Sequence, residues 1–264
     1  MNRVRLGAVG YLNARPLVYG LDRSSRVALR FDVPSQCAAL LHEGAIDLGL
    51  IPSIEYLRGP AEYRIVPDLA IASNGPVASV ALYTRKAIRD VRSIAMDVSS
   101  RTSVALVRVL CAKTFKIQPD VREARPDLPA MLAHADAALV IGDNALFWTH
   151  GDIQKIDLGE AWTSTTGLPF VYAFWAGRDG ALTAADVREL QDARDGAVAR
   201  PGTIVEIARA YCPDSAERQA VAAGYLRDNI KYHLGADERA GLELFFRYAV
   251  EAGLVPSARE LRFY

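Results

Sequence analysis

Four hydroxyl side chains fall within five residues at Ser99-Ser100-Arg101-Thr102-Ser103. The run stands directly before Val104-Ala105-Leu106-Val107, and the stretch from Thr102 to Ala112, with one charge at Arg108, reads as a mostly buried helix. The first N–H groups of a helix lack intrahelical partners and carry partial positive charge, so hydroxyls gathered there can seat a carboxylate. Capping alone would use one hydroxyl, and four are supplied. Three more polar clusters follow runs that read as strands: Gly10-Tyr11-Leu12-Asn13-Ala14-Arg15-Pro16, Pro52-Ser53 and Gly142-Asp143-Asn144. Ligands of open parallel sheets bind beyond the carboxyl ends of the strands, so all four clusters are candidates for one crevice. Asn13 would aim a neutral donor and acceptor into it, or else satisfy its own turn. Tyr11 could equally be packing, Ser53 could cap the helix after Pro52, and Asp143 with Asn144 could cap a short helix through Leu146 and Phe147.

Other chemistries have less support. His42, His134, His150 and His233 sit in or beside helices, away from the strand ends, and read as structural or surface residues. No HExxH, CxxC, P-loop, GxGxxG or GxSxG pattern occurs. Cys37, Cys111 and Cys212 are far apart in apolar or helical stretches, which suits buried free thiols rather than a disulfide framework or a zinc site. The expectation is that neither metal nor cofactor is needed. Lys plus Arg number 31 and Asp plus Glu 31, so no global field draws nucleic acid or an anionic membrane. Trp148, Trp162 and Trp175 are scattered, with no basic interleaving to stack nucleotides. The apolar run after Met1 is broken by Gly7, Gly10 and Asn13, unlike a leader peptide, and no stretch reaches the roughly 18 apolar residues of a membrane span. A soluble cytoplasmic chain is expected.

The elements that would position these clusters alternate. Val4 to Val9 and Val27 to Val33 read as strands, with Pro16 to Leu21 a short helix between them. Pro34 opens a helix that Gly44 ends, and Ile46 to Ile51 is a buried strand. Ser93 to Met96, Val121 and Ala137 to Ile141 repeat the pattern, with helices from Thr102 and Leu128. Such β-α-β-α-β order implies parallel strands joined by crossover helices. Phe170 to Ala176 would cross back, and nearly everything after Leu182 reads as helix, with Thr183 and Asp186 as a capping pair and Asp237 capping the last long helix. At 264 residues and 51% hydrophobic, the chain is expected to be a two-lobed α/β protein, each lobe a mixed sheet flanked by helices. Lobe one would be 1–84 plus 177–264, carrying the helical tail, and lobe two the insertion 85–176. Two chain crossings make a hinge over a ligand crevice.

Several of these runs carry a family resemblance. Val9-Gly10-Tyr11-Leu12-Asn13-Ala14-Arg15-Pro16-Leu17, Gly49-Leu50-Ile51-Pro52-Ser53-Ile54-Glu55-Tyr56, Gly75-Pro76-Val77-Ala78-Ser79-Val80, Asp97 through Ser103 and Thr166-Gly167-Leu168-Pro169-Phe170-Val171 resemble the chorismate dehydratases of the futalosine route to menaquinone. The resemblance spans residues 9 to 171 and implies a type II periplasmic-binding-protein fold, no cofactor, and loss of water from chorismate to give 3-[(1-carboxyvinyl)oxy]benzoate. Chorismate has two carboxylates, so two anion seats are needed. One is expected on Ser100, Thr102 and Ser103 beside Ser99, the other on Ser53 and Ser79, with Tyr11 and Asn144 as further binding residues. No protein base stands out in the matched runs. The substrate's own enolpyruvyl carboxylate is therefore expected to take the ring proton while Asn13 orients it, with Asp143 or Glu55 as fallback bases. Three rival readings remain: a non-catalytic binding protein for a small carboxylate, the related dihydroxynaphthoate synthase, and a sensor domain, for whose usual DNA-binding helices there is no room before Val4. Apolar residues on the tail could support a homodimer, though nothing demands one.

Overall fold

The computed structural model describes residues 3–148 and 152–264, so His150 lies outside the described part. Strand β1 (Val4–Val9) is followed by a 3-10 turn over Leu12–Val18, then β2 (Val27–Asp32), helix α1 (Pro34–Glu43) and β3 (Leu48–Pro52). The helix expected over Pro16–Leu21 is thus an earlier, tighter turn. Pro16 sits inside it and cannot donate to a regular α-helical ladder. Pro34 at the first helical position and Gly44 at φ 76° bound α1 as its sequence requires. A short helix α2 (Glu55–Arg58) and strands β4 (Tyr63–Ile65) and β5 (Ile71–Ser73) follow.

The chain then builds a second sheet from β6 (Val80–Thr84), β7 (Ser93–Asp97), helix α3 (Thr102–Leu110), β8 (Asp120–Ala124), α4 (Leu128–His134), β9 (Ala137–Ile141), α5 (Gly142–Leu146) and β10 (Gln154–Asp157). Its order is β10-β6-β9-β7-β8. Strands β7, β8 and β9 are parallel, while β6 runs antiparallel to β9 and β10. Helix α6 (Leu158–Thr166) leads to β11 (Phe170–Arg178), which re-enters the first sheet antiparallel to β3, giving β2-β1-β3-β11-β4 with β5 also on β11. The tail is helical: α7 (Ala184–Val198), α8 (Pro201–Tyr211), α9 (Ala216–Gly224) and α10 (Ala236–Glu251).

Two boundaries differ from the sequence reading. Val80–Thr84 belongs to the second sheet, because its five buried residues pair in register with Ile141 back to Ala137. Phe170–Arg178 lies wholly in the first, where it fills the place between β3 and β4. The last helix is capped at Gly235, whose N–H donates to Glu238 at 3.0 Å, so Asp237 sits within the first turn instead of at the cap. Thr183 and Asp186 form the expected reciprocal cap.

Helix α10 packs on β11 through Phe245, whose ring centroid lies 4.9 Å from that of Phe170 and 6.1 Å from that of Trp162. Gly241 permits this approach, since an added methyl would overlap the Pro169 carbonyl oxygen. The chain crosses between sheets twice, at 74–79 and through α6. Asp157 ties the two crossings together. Its carboxylate caps α6 through the N–H groups of Gly159 (2.9 Å) and Glu160 (3.1 Å) and accepts from Val77 (3.0 Å) and Ala78 (2.7 Å). Among the described residues no helix is long and apolar enough to cross a membrane.

Candidate functional site

The carboxyl ends of β1, β3, β7 and β9 meet between the two sheets around a narrow cavity, about 60 Å³ of which is open to the centres of water molecules. Tyr11, Asn13, Ser79, Ser100, Thr102 and Ser103 all line it. Its apolar walls include Val9, Ile71, Val77 and Ile141.

Each polar group is held by its element. Asn13 sits in the turn after β1, and its Oδ1 is buried without a hydrogen-bond partner. A buried amide oxygen left unpaired is costly, and among the described residues this one is an acceptor open to a donor in the cavity. Thr102 and Ser103 open α3, whose N-cap residue Arg101 makes no side-chain cap. Ser100, Thr102 and Ser103 are all buried. The hydroxyls of Ser100 and Ser103 and the guanidinium of Arg101 make no hydrogen bond or ion pair to other described residues. Uncapped N–H groups, two free hydroxyls and an unpaired cation therefore converge at one end of the crevice, an arrangement that suits a carboxylate.

Opposite lies Ser79, next to Ala78, which holds a left-handed φ of 64°. That conformation is strained for a residue with a Cβ, and the Ala78 N–H donating to Asp157 and the Lys155 ammonium donating to the Ala78 carbonyl fix it. The Ser79 hydroxyl pairs with the Tyr225 hydroxyl at 2.7 Å, and the Asn13 amide also acts on that phenol. Tyr172 lines the cavity and shares a hydrogen bond with Ser73 at 3.2 Å. Burial pushes both phenols up, so they are neutral donors at ordinary pH.

The remaining expected residues divide. The Tyr11 hydroxyl bonds to Ser99 Oγ at 3.2 Å, and Ser99 is held in turn by its hydroxyl and N–H donating to Asp97 at 2.6 and 2.9 Å. Ser53 does not join Ser79 in a second seat. Its hydroxyl donates to the Val171 carbonyl at 2.8 Å and meets Thr102 Oγ1 at 3.3 Å, so it bridges the lobes. Asp143 stands behind the cavity wall, accepting from Leu12 N–H at 3.2 Å and from the Tyr211 hydroxyl. Burial raises its pKa, and these donors offset part of the rise. Glu55 faces Arg58 at 3.1 Å and does not line the cavity. Asn144 is exposed on α5 and does not line it either.

Sequence reasoning missed Tyr172, Tyr211, Tyr225 and the cation Arg101. Arg101 lay inside the hydroxyl run, so position alone could have found it. The tyrosines come from β11 and the helical tail, where nothing local distinguishes them from core. Among the described residues no Asp, Glu, His or Lys lines the cavity, and no group of three His, Cys, Asp or Glu is placed to hold a metal ion. His42 stacks on Tyr63 and His233 bonds Asp68, while Cys37, Cys111 and Cys212 are buried free thiols.

Residues 4–251 match the family described as menaquinone biosynthesis. A chorismate dehydratase of Thermus thermophilus is 31% identical over 261 residues, covering 88% of this chain and 94% of that protein. A 1,4-dihydroxy-6-naphtoate synthase of Streptomyces coelicolor is 28% identical over 195 residues, covering 66% of each. Among solved structures, a protein of Archaeoglobus fulgidus superposes with a TM-score of 0.73 at 16% identity, over 96% of this chain and 98% of that one. The periplasmic aliphatic sulphonate binding protein of Escherichia coli superposes with a TM-score of 0.66 at 17% identity, over 97% of this chain and 94% of that one. The fold is that of the periplasmic binding proteins, and the chain belongs to the menaquinone-biosynthesis family.

Proposed function

We propose that this member of the family is a chorismate dehydratase whose substrate supplies its own base. The single observation that carries the catalytic assignment is the composition of the cavity: a buried, unpartnered Asn13 Oδ1 beside a carboxylate seat, with no protein carboxylate, His or Lys lining it. Elimination needs a proton removed from ring C3 and hydroxide lost from C4. The enolpyruvyl carboxylate takes the C3 proton, the C3–H electron pair becomes the new ring double bond, the C4–O bond breaks, and the carboxyl hands the proton to the departing hydroxide, which leaves as water. Aromatisation makes the product stable, so the protein has to orient groups rather than drive the step. No cofactor is required for this chemistry.

One substrate carboxylate is placed on the N–H groups of α3, the Ser100 and Ser103 hydroxyls and Arg101. Asn13 holds the enolpyruvyl carboxylate against the C3 proton by donating from Nδ2, its open Oδ1 accepts from the substrate's C4 hydroxyl, and Tyr225, itself bonded to Ser79, engages the same amide. Asp143 acts on neither proton. It positions Leu12 and the turn bearing Asn13. The fold of a binding protein thereby becomes an enzyme by orienting the two halves of one molecule against each other.

Removing one preorganised polar group of this kind lowers turnover by roughly 10²- to 10³-fold. Asn13→Ala is expected to lose that much kcat with chorismate, while Glu55→Gln keeps at least half. Full turnover by Asn13→Ala would overturn the assignment.

A further inference from the structure

A second cavity, about 350 Å³, shares Ser100 and Arg101 with the crevice but opens toward the outer edge of the second sheet. Four arginines line it: Arg101 at the N-cap of α3, Arg108 within α3, Arg122 from β8 and Arg58 from α2. The turn after α10 closes it with Gly253 and Leu254. Several arginines of the molecule are matched to carboxylates, as in Arg5 with Asp47, Arg26 with Asp186, Arg64 with Asp179 and Arg194 with Asp68. Here only Arg58 has such a partner, Glu55. Arg101, Arg108 and Arg122 have none among the described residues, and Glu123 on the rim forms no ion pair with them. Asp97 also lines the cavity; it is buried, and its carboxylate is already engaged by the Ser99 hydroxyl and N–H and by the Ile141 backbone.

Like charges gathered in a concave site repel unless an anion sits among them. Guanidinium forks match phosphate oxygens in paired hydrogen bonds. The volume is within the range of small-molecule sites.

We propose that this cavity binds a small phosphate-bearing polyanion at a site separate from the crevice. Because Arg101 lines both cavities, an anion held among the four arginines draws its guanidinium from the carboxylate seat. Occupancy then weakens substrate binding without touching Asn13. The binding itself does not depend on the dehydratase reading. The kinetic consequence does.

The test titrates inorganic pyrophosphate into the whole protein by calorimetry at low salt. Saturable binding is expected, weakened at least about tenfold in the double variant Arg108→Gln/Arg122→Gln, since charge-assisted bonds are lost. Arg64→Gln, whose guanidinium pairs with Asp179 far from the cavity, should bind as the unaltered protein does. Absent saturation, or equal weakening in both variants, would overturn the site. A thermal melt of each variant separates loss of the site from loss of the fold. With chorismate, pyrophosphate should raise KM at constant kcat in the unaltered protein and leave KM unchanged in the double variant. Saturable, arginine-dependent binding with no effect on KM would remove the coupling through Arg101. Binding that persists in a protein unable to turn over chorismate would sink the dehydratase reading and keep the site.

Discussion

Replacing Thr102 by Val probes how the lobes close. The substitution keeps the β-branched shape at the first position of α3 and its backbone N–H, and deletes one hydroxyl. In the structure that oxygen accepts from Ile54 N–H at 3.2 Å and meets Ser53 Oγ at 3.3 Å, across the two lobes. Ser53 keeps its bond to Val171, so its loss is small. Ile54 is fully buried, and its N–H would be left without an acceptor. Such a buried orphan costs about 1–3 kcal/mol. In an open crevice water would satisfy it, so the cost falls on closure and not on the fold of either lobe. A shift of that size corresponds to roughly 5- to 150-fold in the closing equilibrium. Steady-state kinetics with chorismate should show KM raised within that range and kcat retained at saturation, since bound substrate restores closure. The melting temperature should change little. KM within twofold of the unaltered protein would refute the claim that this hydroxyl couples the lobes.

Other outcomes follow from the same geometry. Gly142→Ala places a Cβ within 2.8 Å of the Tyr11 ring at a φ of 62°, so it should cost roughly 1–2 kcal/mol in backbone strain and raise KM by displacing Tyr11, read by melting and kinetics together. Ser103→Ala and Arg101→Gln should each raise KM more than they lower kcat, because both groups belong to the carboxylate seat; a selective loss of kcat would contradict that placement. For Asp186, burial pushes the carboxyl up, but the Thr183 hydroxyl and Arg26 outweigh it and hold it below its ordinary value. A folded pKa below the unfolded one stabilises above the unfolded value and is lost as pH falls through the folded one. Asp186→Ala should therefore cost about 1–2 kcal/mol at pH near 7, and the difference from the unaltered protein should shrink below about pH 4, checked by denaturant melts at both pH values.

The parts of the fold carried by local chemistry were readable. Pro34 and Gly44 bounded α1, Thr183 and Asp186 capped α7, and the hydroxyl run opened α3. Where pairing is non-local the sequence was silent. Val80–Thr84 reads as an extended apolar run whichever sheet it joins, and only its register on β9 assigns it. The site divides the same way. Asn13, Ser100 and Ser103, which line the crevice, follow a strand or open a helix and so were legible as candidates, whereas Ser79, just before β6, was singled out only through the family resemblance. Ser53 looked the same in sequence, yet the Val171 carbonyl, over a hundred residues on, claims its hydroxyl. Tyr225 reaches Ser79 and Tyr211 reaches Asp143 behind the cavity wall, both from the tail, where periodicity marks them as packing residues. Glu55 was plausible as a base until Arg58, one helical turn on, fixed it elsewhere.

The most direct measurement incubates the purified protein with chorismate in buffer containing a metal chelator and follows the mixture by mass and ultraviolet absorbance. The account predicts a product lighter than chorismate by one water, with an aromatic spectrum. Unchanged chorismate, held tightly by calorimetry, would contradict it and make this chain a binding protein that never acquired the reaction.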